Sequence, residues 1–117
     1  MSAAITTGDG GIVIIHTLKK DGVSFSIPSN AVVTCRLVDS NHKPLTDSVI
    51  QSNTTVGADW FNSKVAIILP GDITKAVVSA GVSWRNGKIT AKMETQVDDN
   101  GKLTWFHPIG VYRGTID

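Results

Sequence analysis

Residues 88–116 read KITAKMETQVDDNGKLTWFHPIGVYRGTI, and this stretch decides the fold. From Lys88 to Val97 the alternation is unbroken. Ile89, Ala91, Met93, Thr95 and Val97 fall on one face, and Thr90, Lys92, Glu94 and Gln96 on the other. A period of two is the repeat of a half-buried strand. Asp99-Asn100-Gly101 supplies residue types that accept positive φ, which predicts a hairpin turn. KLTWF and IGVYRGTI then form a final pair of strands, or one long strand bent at His107-Pro108. On the upstream side, VSW meets Asn86-Gly87, the strongest short hairpin signal in the chain.

Working outward, the same period recurs. Ile12-Val13-Ile14-Ile15 leads a strand ending near Leu18, and Asp21-Gly22 reads as a tight turn. Val23, Phe25 and Ile27 alternate with serines until Pro28, which cannot donate to a ladder, ends the run. AVVTCRLVD (31–39) is the next strand, with Ala31, Val33, Cys35 and Leu37 on one face and Val32, Thr34, Arg36 and Val38 on the other. The pattern weakens from Leu45 to Phe61, where SVIQSNTTV holds one or two short edge strands. KVAIILP (64–70) is strongly strand-like. GDITKAVVSAG (71–81) predicts one or two helical turns, with Asp72 as N-cap and Gly81 as C-cap. Seven or eight short strands without a long helix predict an all-β sandwich or barrel, one domain over 12–117 behind a flexible N-terminal arm at 1–11.

Composition narrows the function classes. The chain has 117 residues, 11 Lys and Arg against 10 Asp and Glu, and a net charge of +1, so no basic excess draws it to nucleic acid or an anionic membrane. The single cysteine, Cys35, forms no internal disulfide, lies mid-strand and fits a small buried side chain. The N-terminus has neither the basic nor the apolar region of a signal peptide, and the apolar run Ile12–Ile15 is too short to span a bilayer.

No catalytic, metal or cofactor site is expected. His16, His42 and His107 are far apart in sequence and carry no local metal signature. The glycines of GDGG (8–11) run into a strand rather than a phosphate-binding helix, and DDNG (98–101) is better explained as a turn than as a calcium loop. Asp72 reads as a cap, Glu94 as an exposed strand residue, and Asp59 as a loop carboxylate without a sequence partner. The binding signal lies in the aromatics. Trp60-Phe61 and Trp105-Phe106 are adjacent pairs, and neighbouring residues of a strand face opposite ways, so one ring of each pair is left poorly buried. The candidate partner-binding residues are therefore Trp60, Phe61 and Trp105, with Thr55 and Val56 from the weakly patterned segment beside the first pair.

The order of elements resembles the N-terminal domains of phage baseplate upper proteins and related tail-fibre anchors. The resemblance is carried by ITTGDGGIVIIHTLKKDGVSFSIPSNAVVTCRLVDSNHKPL and by KVAIILPGDIT…SAGVSWRNGKITAKMETQVDDNGKLTWFHPIGVYRGTI. It covers most of the chain through spacing and turn types. It implies an immunoglobulin-like β-sandwich of mostly antiparallel strands, with no catalytic residues, acting as a structural plug on another virion protein. In that family the domain heads a longer chain; a sequence stopping at Asp117 leads to the expectation of a free-standing capsid decoration protein or small tail accessory. The expected setting is the virion after synthesis in a bacterial cytoplasm, with capsid, tail or baseplate proteins or a second copy as partners, and neither nucleic acid nor membrane. The alternative expectation is a carbohydrate-binding or adhesion module that stacks sugars on Trp60 or Trp105.

Overall fold

A computed structural model describes residues 3–8, 10, 12–80 and 82–114. The architecture is all-β. Its strands are β1 (Ala3–Thr6), β2 (Ile12–Thr17), β3 (Lys19–Lys20), β4 (Val23–Ser24), β5 (Val32–Val38), β6 (Val49–Gln51), β7 (Lys64–Leu69), β8 (Lys88–Asp98) and β9 (Lys102–Tyr112). One helix, α1 (Gly71–Ser79), follows β7. A five-stranded sheet runs in the order β1-β9-β8-β5-β6, and β2-β7 and β3-β4 form two-stranded sheets. All pairings are antiparallel except β1 with β9.

The β8–β9 hairpin is the long element. Its register runs from Lys88↔Tyr112 to Asp98↔Lys102 and is closed by Asn100 (φ 57°) and Gly101 (φ 147°). β9 is one continuous strand through His107-Pro108. Among the described residues β1 begins to pair with it at Ile109, just past the proline. Ala91, Met93, Thr95 and Val97 are buried on the face expected for them, in line with Val33, Cys35 and Leu37 of β5. From the other side Ile14, Val65, Ile67 and Leu69 of β2 and β7 enter the same core, so the two sheets share one apolar interior. Buried Gln51 joins them at the β6 edge, its Oε1 accepting from the Ile68 N–H at 3.1 Å in place of a backbone rung.

Several expectations are corrected. Among the described residues the strand segments number nine, two of them only two residues long. The stretch read as a flexible arm contains β1. Ile5 and Thr7 are buried, and the Thr7 N–H donates to the Tyr112 carbonyl at 2.8 Å. Residues 1, 2, 9 and 11 of that stretch lie outside the described residues. The strand read over 23–27 shortens to Val23–Ser24, and Val23 is exposed. No strand forms at Thr54–Val56, where the Thr55 N–H turns back to the Ser52 carbonyl at 3.1 Å; within 45–61 only β6 is a strand, at one edge of the five-stranded sheet. VSW is not a strand, since only the bridge Arg85↔Lys88 closes Asn86-Gly87.

The helix has nine residues, capped by Pro70 and Ala80. Asp72 lies in its first turn, where a carboxylate opposes the positive helix end, and makes no capping bond. Gly81 lies outside the described residues. Val38, on the face opposite Val33, Cys35 and Leu37, is also buried because the chain doubles back over it: Pro44 bridges to it and the Leu45 N–H donates to the Leu37 carbonyl. Among the described residues no helix is long and apolar enough to cross a membrane.

Asn86 (φ 53°) and Gly87 (φ 72°) both occupy the left-handed region, and a Cβ on Gly87 would meet nothing within 4 Å. Any penalty at this position is therefore conformational rather than steric. Gly87→Val is expected to lower stability by more than ~1 kcal/mol. Urea unfolding measures it, and an unchanged midpoint would refute the turn.

Candidate interaction surface

The segment from Ser52 to Lys64 is a tied loop. The Asp59 carboxylate accepts from the Asn62 side-chain amide at 2.6 Å and from the Asn62 N–H at 3.3 Å, capping a single helical turn at Trp60–Asn62. These two bonds, the side-chain one first, hold the Asp59 carboxyl below the usual carboxylate range. Ser63 ends the turn in the left-handed region (φ 63°), and Asp59 and Lys64 exchange backbone bonds of 3.0 and 2.8 Å across its base. The Ile27 N–H and the Ser26 hydroxyl donate to the carbonyls of Trp60 and Phe61.

That geometry separates the aromatic pair. Trp60 is 6% exposed and belongs to the core, whereas Phe61 is 81% exposed. The expectation that one ring would be left out holds, and the assignment of Trp60 to a partner surface is corrected. Its indole Nε1 is buried with no hydrogen-bond partner among the described residues. Beside the pair, a cavity of about 470 Å³ is lined by Ser26, Ile27, Ser29, Asn53, Ala58, Asp59, Trp60 and Phe61. Val56 is as exposed as Phe61, and Thr55 is half-buried. Next to Val56, Gly57 (φ 90°) lies on the outer face of β2-β7, so close that a Cβ there would come within 3.1 Å of Ile15 Cδ1.

Ile15 and Val13 remain largely exposed on that face, and among the described residues β2 pairs only with β7. Sequence reasoning missed these two residues. In Ile12-Val13-Ile14-Ile15 every position is apolar, so the pattern carries no sign of which side is wet.

The second pair divides in the same way. Trp105 is half-buried on the inner face, packs on Phe25 with ring centroids 5.2 Å apart, and donates from Nε1 to the Lys19 carbonyl at 2.7 Å. It fastens the β3–β4 hairpin to β9. Phe106 points to the outer face and is stacked by His42 at 3.9 Å. The two indoles named for sugar stacking are thus a core ring and a hydrogen-bonded inner-face ring.

The titratable groups are distributed as follows. Glu94, read as exposed, is buried on the outer face of the five-stranded sheet, where it is paired with Arg36 and flanked in register by Arg36 and Phe106. Arg36 Nε donates to Glu94 Oε1 at 2.9 Å, and Gln96 Nε2 donates to the same oxygen at 3.1 Å. Cys35 is buried, and loss of hydration pushes its thiol up to about 12, out of reach as a nucleophile at neutral pH. His16 and His107 meet across the two sheets with ring centroids 4.3 Å apart. Among the described residues no group of three or more His, Cys, Asp or Glu side chains is placed to hold a metal ion.

Comparison of the chain with protein-family models, with curated proteins and with solved structures found no match.

The loop geometry separates core from surface by experiment. Trp60→Ala is expected to cost about 3–5 kcal/mol, as removal of a large core ring does. Phe61→Ala is expected to stay within about 0.5 kcal/mol of the parent protein. Chemical unfolding of both variants checks the assignment.

Proposed function

We propose that this protein is a non-enzymatic structural component of a bacteriophage virion, an immunoglobulin-like β-sandwich that docks on a capsid or tail protein. The observation that carries the reading is the pairing of exposed Phe61 and Val56 on a loop held by its own hydrogen bonds. A preformed loop presents apolar side chains without an ordering cost on binding. Beside Val56, the outer face of β2 adds Val13 and Ile15 and a strand edge unpaired among the described residues, which a partner strand can extend. The resemblance in element order to baseplate and tail-fibre anchoring domains supplies the virion setting, and two sheets around one core suit the sandwich. Phe61 and Val56 act as anchors in this reading, Trp60 holds the loop from beneath, and Trp105 keeps the β3–β4 hairpin in place.

Attachment to purified particles tests the reading. The parent protein is expected to co-sediment with virions of the source phage. Phe61→Ala and Val56→Asp are each expected to weaken attachment by ~2 kcal/mol, roughly thirtyfold in Kd, with little change in melting temperature. Failure of the folded parent protein to sediment with particles would remove the virion assignment. Unaltered attachment of both variants would move the interface to another face.

A further inference from the structure

The histidine contact between the sheets is used by nothing in the docking surface. His16 lies on the inner face of β2 and is 8% exposed, while half-buried His107 lies on the inner face of β9. With ring centroids 4.3 Å apart and planes tilted by 36°, the imidazoles are in van der Waals contact. The His16 Nδ1 is buried with no hydrogen-bond partner among the described residues. The surroundings offer a cation nothing. Val65 of β7 is opposite His16, Met93 of β8 is opposite His107, and both are apolar. Lys64 and Lys19 at neighbouring positions are exposed and carry the same sign of charge, and Lys92 and the Arg36–Glu94 pair belong to the other face of the five-stranded sheet. Among the described residues no carboxylate lies within ion-pair distance of either ring.

We propose that the His16–His107 contact is an acid-released fastening, which holds β2 against β9 while His16 is neutral and lets β2 and the following β3–β4 hairpin come away when His16 is protonated. Two mechanisms act together. Burial disfavours the charged imidazole, and two imidazolium rings at this separation repel. For His16, burial first and the charge on His107 second lower the pKa from 6.5 to about 4.

The sign follows from linkage. A histidine that is less basic folded than unfolded leaves stability complete above pH 6.5, and stability falls as the pH drops from 6.5 toward 4. The weak point is local, because among the described residues β2 is paired on one side only and the hairpin beyond it is fastened to β9 by the bond from Trp105 Nε1 to the Lys19 carbonyl.

Two measurements test the proposal. In NMR titration of the imidazole ring protons, His16 is expected to titrate well below 6.5, and the Trp105 indole N–H is expected to lose protection from exchange before the β8–β9 amides do. In urea unfolding, lowering the pH from 7.5 to 4.5 is expected to raise the unfolding equilibrium constant about fiftyfold more for the parent protein than for His16→Gln, with His107→Gln in between. Comparing variants cancels the acid sensitivity contributed by carboxylates elsewhere. If His16→Gln does not fold, the titration of the parent protein and the His107→Gln comparison still decide. A His16 titration near 6.5, an acid response unchanged by either substitution, or simultaneous loss of Trp105 and β8–β9 protection would overturn the proposal.

Discussion

Register between β8 and β9 is the constraint on which the rest of the fold depends. Eleven residues on each strand are paired in sequence, from the Asn100-Gly101 turn to Lys88 and Tyr112. A slip of one residue would exchange Ala91, Met93, Thr95 and Val97 for Thr90, Lys92, Glu94 and Gln96 and turn the core face polar. The hairpin is local in sequence, so its closure carries little loop entropy, and the more distant pairings add to a formed template. β5 lies along its β8 side, bringing Arg36 opposite Glu94, and β1 joins its β9 side from the far end of the chain.

The small sheet is attached differently. β2-β7 meets the large sheet through side chains: the Gln51 carbonyl on the Ile68 N–H, the ring contact of His16 with His107, and apolar packing of Ile14, Val65, Ile67 and Leu69. The Trp105 indole bond then ties down the hairpin that follows β2. A sheet interior resists separation because backbone bonds and packing break together. A seam made by a few side chains can open while the strands on each side stay intact. β2 borders that seam with His16 on its inner face, while its exposed Val13 and Ile15 lie on the outer face.

Adjacent aromatics show how the backbone assigns work to identical residue types. Trp60 and Trp105 are turned inward, one as core and one as a hydrogen-bonding fastener, while Phe61 and Phe106 are turned outward. Phe106 is then covered by His42 and Phe61 is not. An exposed ring on a loop whose main chain is already ordered is an economical anchor for association, since binding adds apolar burial without first restricting the chain. The Arg36–Glu94 pair shows the complementary case, a couple on an outer face in which the carboxylate is buried and the guanidinium stays partly exposed.

Period-two alternation, the glycine-bearing turns and the absence of a long helical pattern were sufficient by themselves to determine the all-β class, the turn at Asn100-Gly101, the faces of β5 and β8, and the division of the Trp105-Phe106 pair, whereas Trp60-Phe61 divides on a helical turn. These properties are local, set by the alternation of side chains along a strand and by which residues tolerate positive φ. Only the tertiary structure decided which ring of each pair is inside, because that depends on which face meets a second sheet. It also placed β1 beside β9, although the two are separated by nearly the whole chain and a short glycine-bearing lead gives no sign of its partner. The pairing of buried Glu94 required Arg36 from another strand, the exposure of Val13 and Ile15 required an uncovered outer face, and the contact of His16 with His107 required two sheets to meet. Each of these is a relation between distant segments, and a one-dimensional pattern carries no term for it.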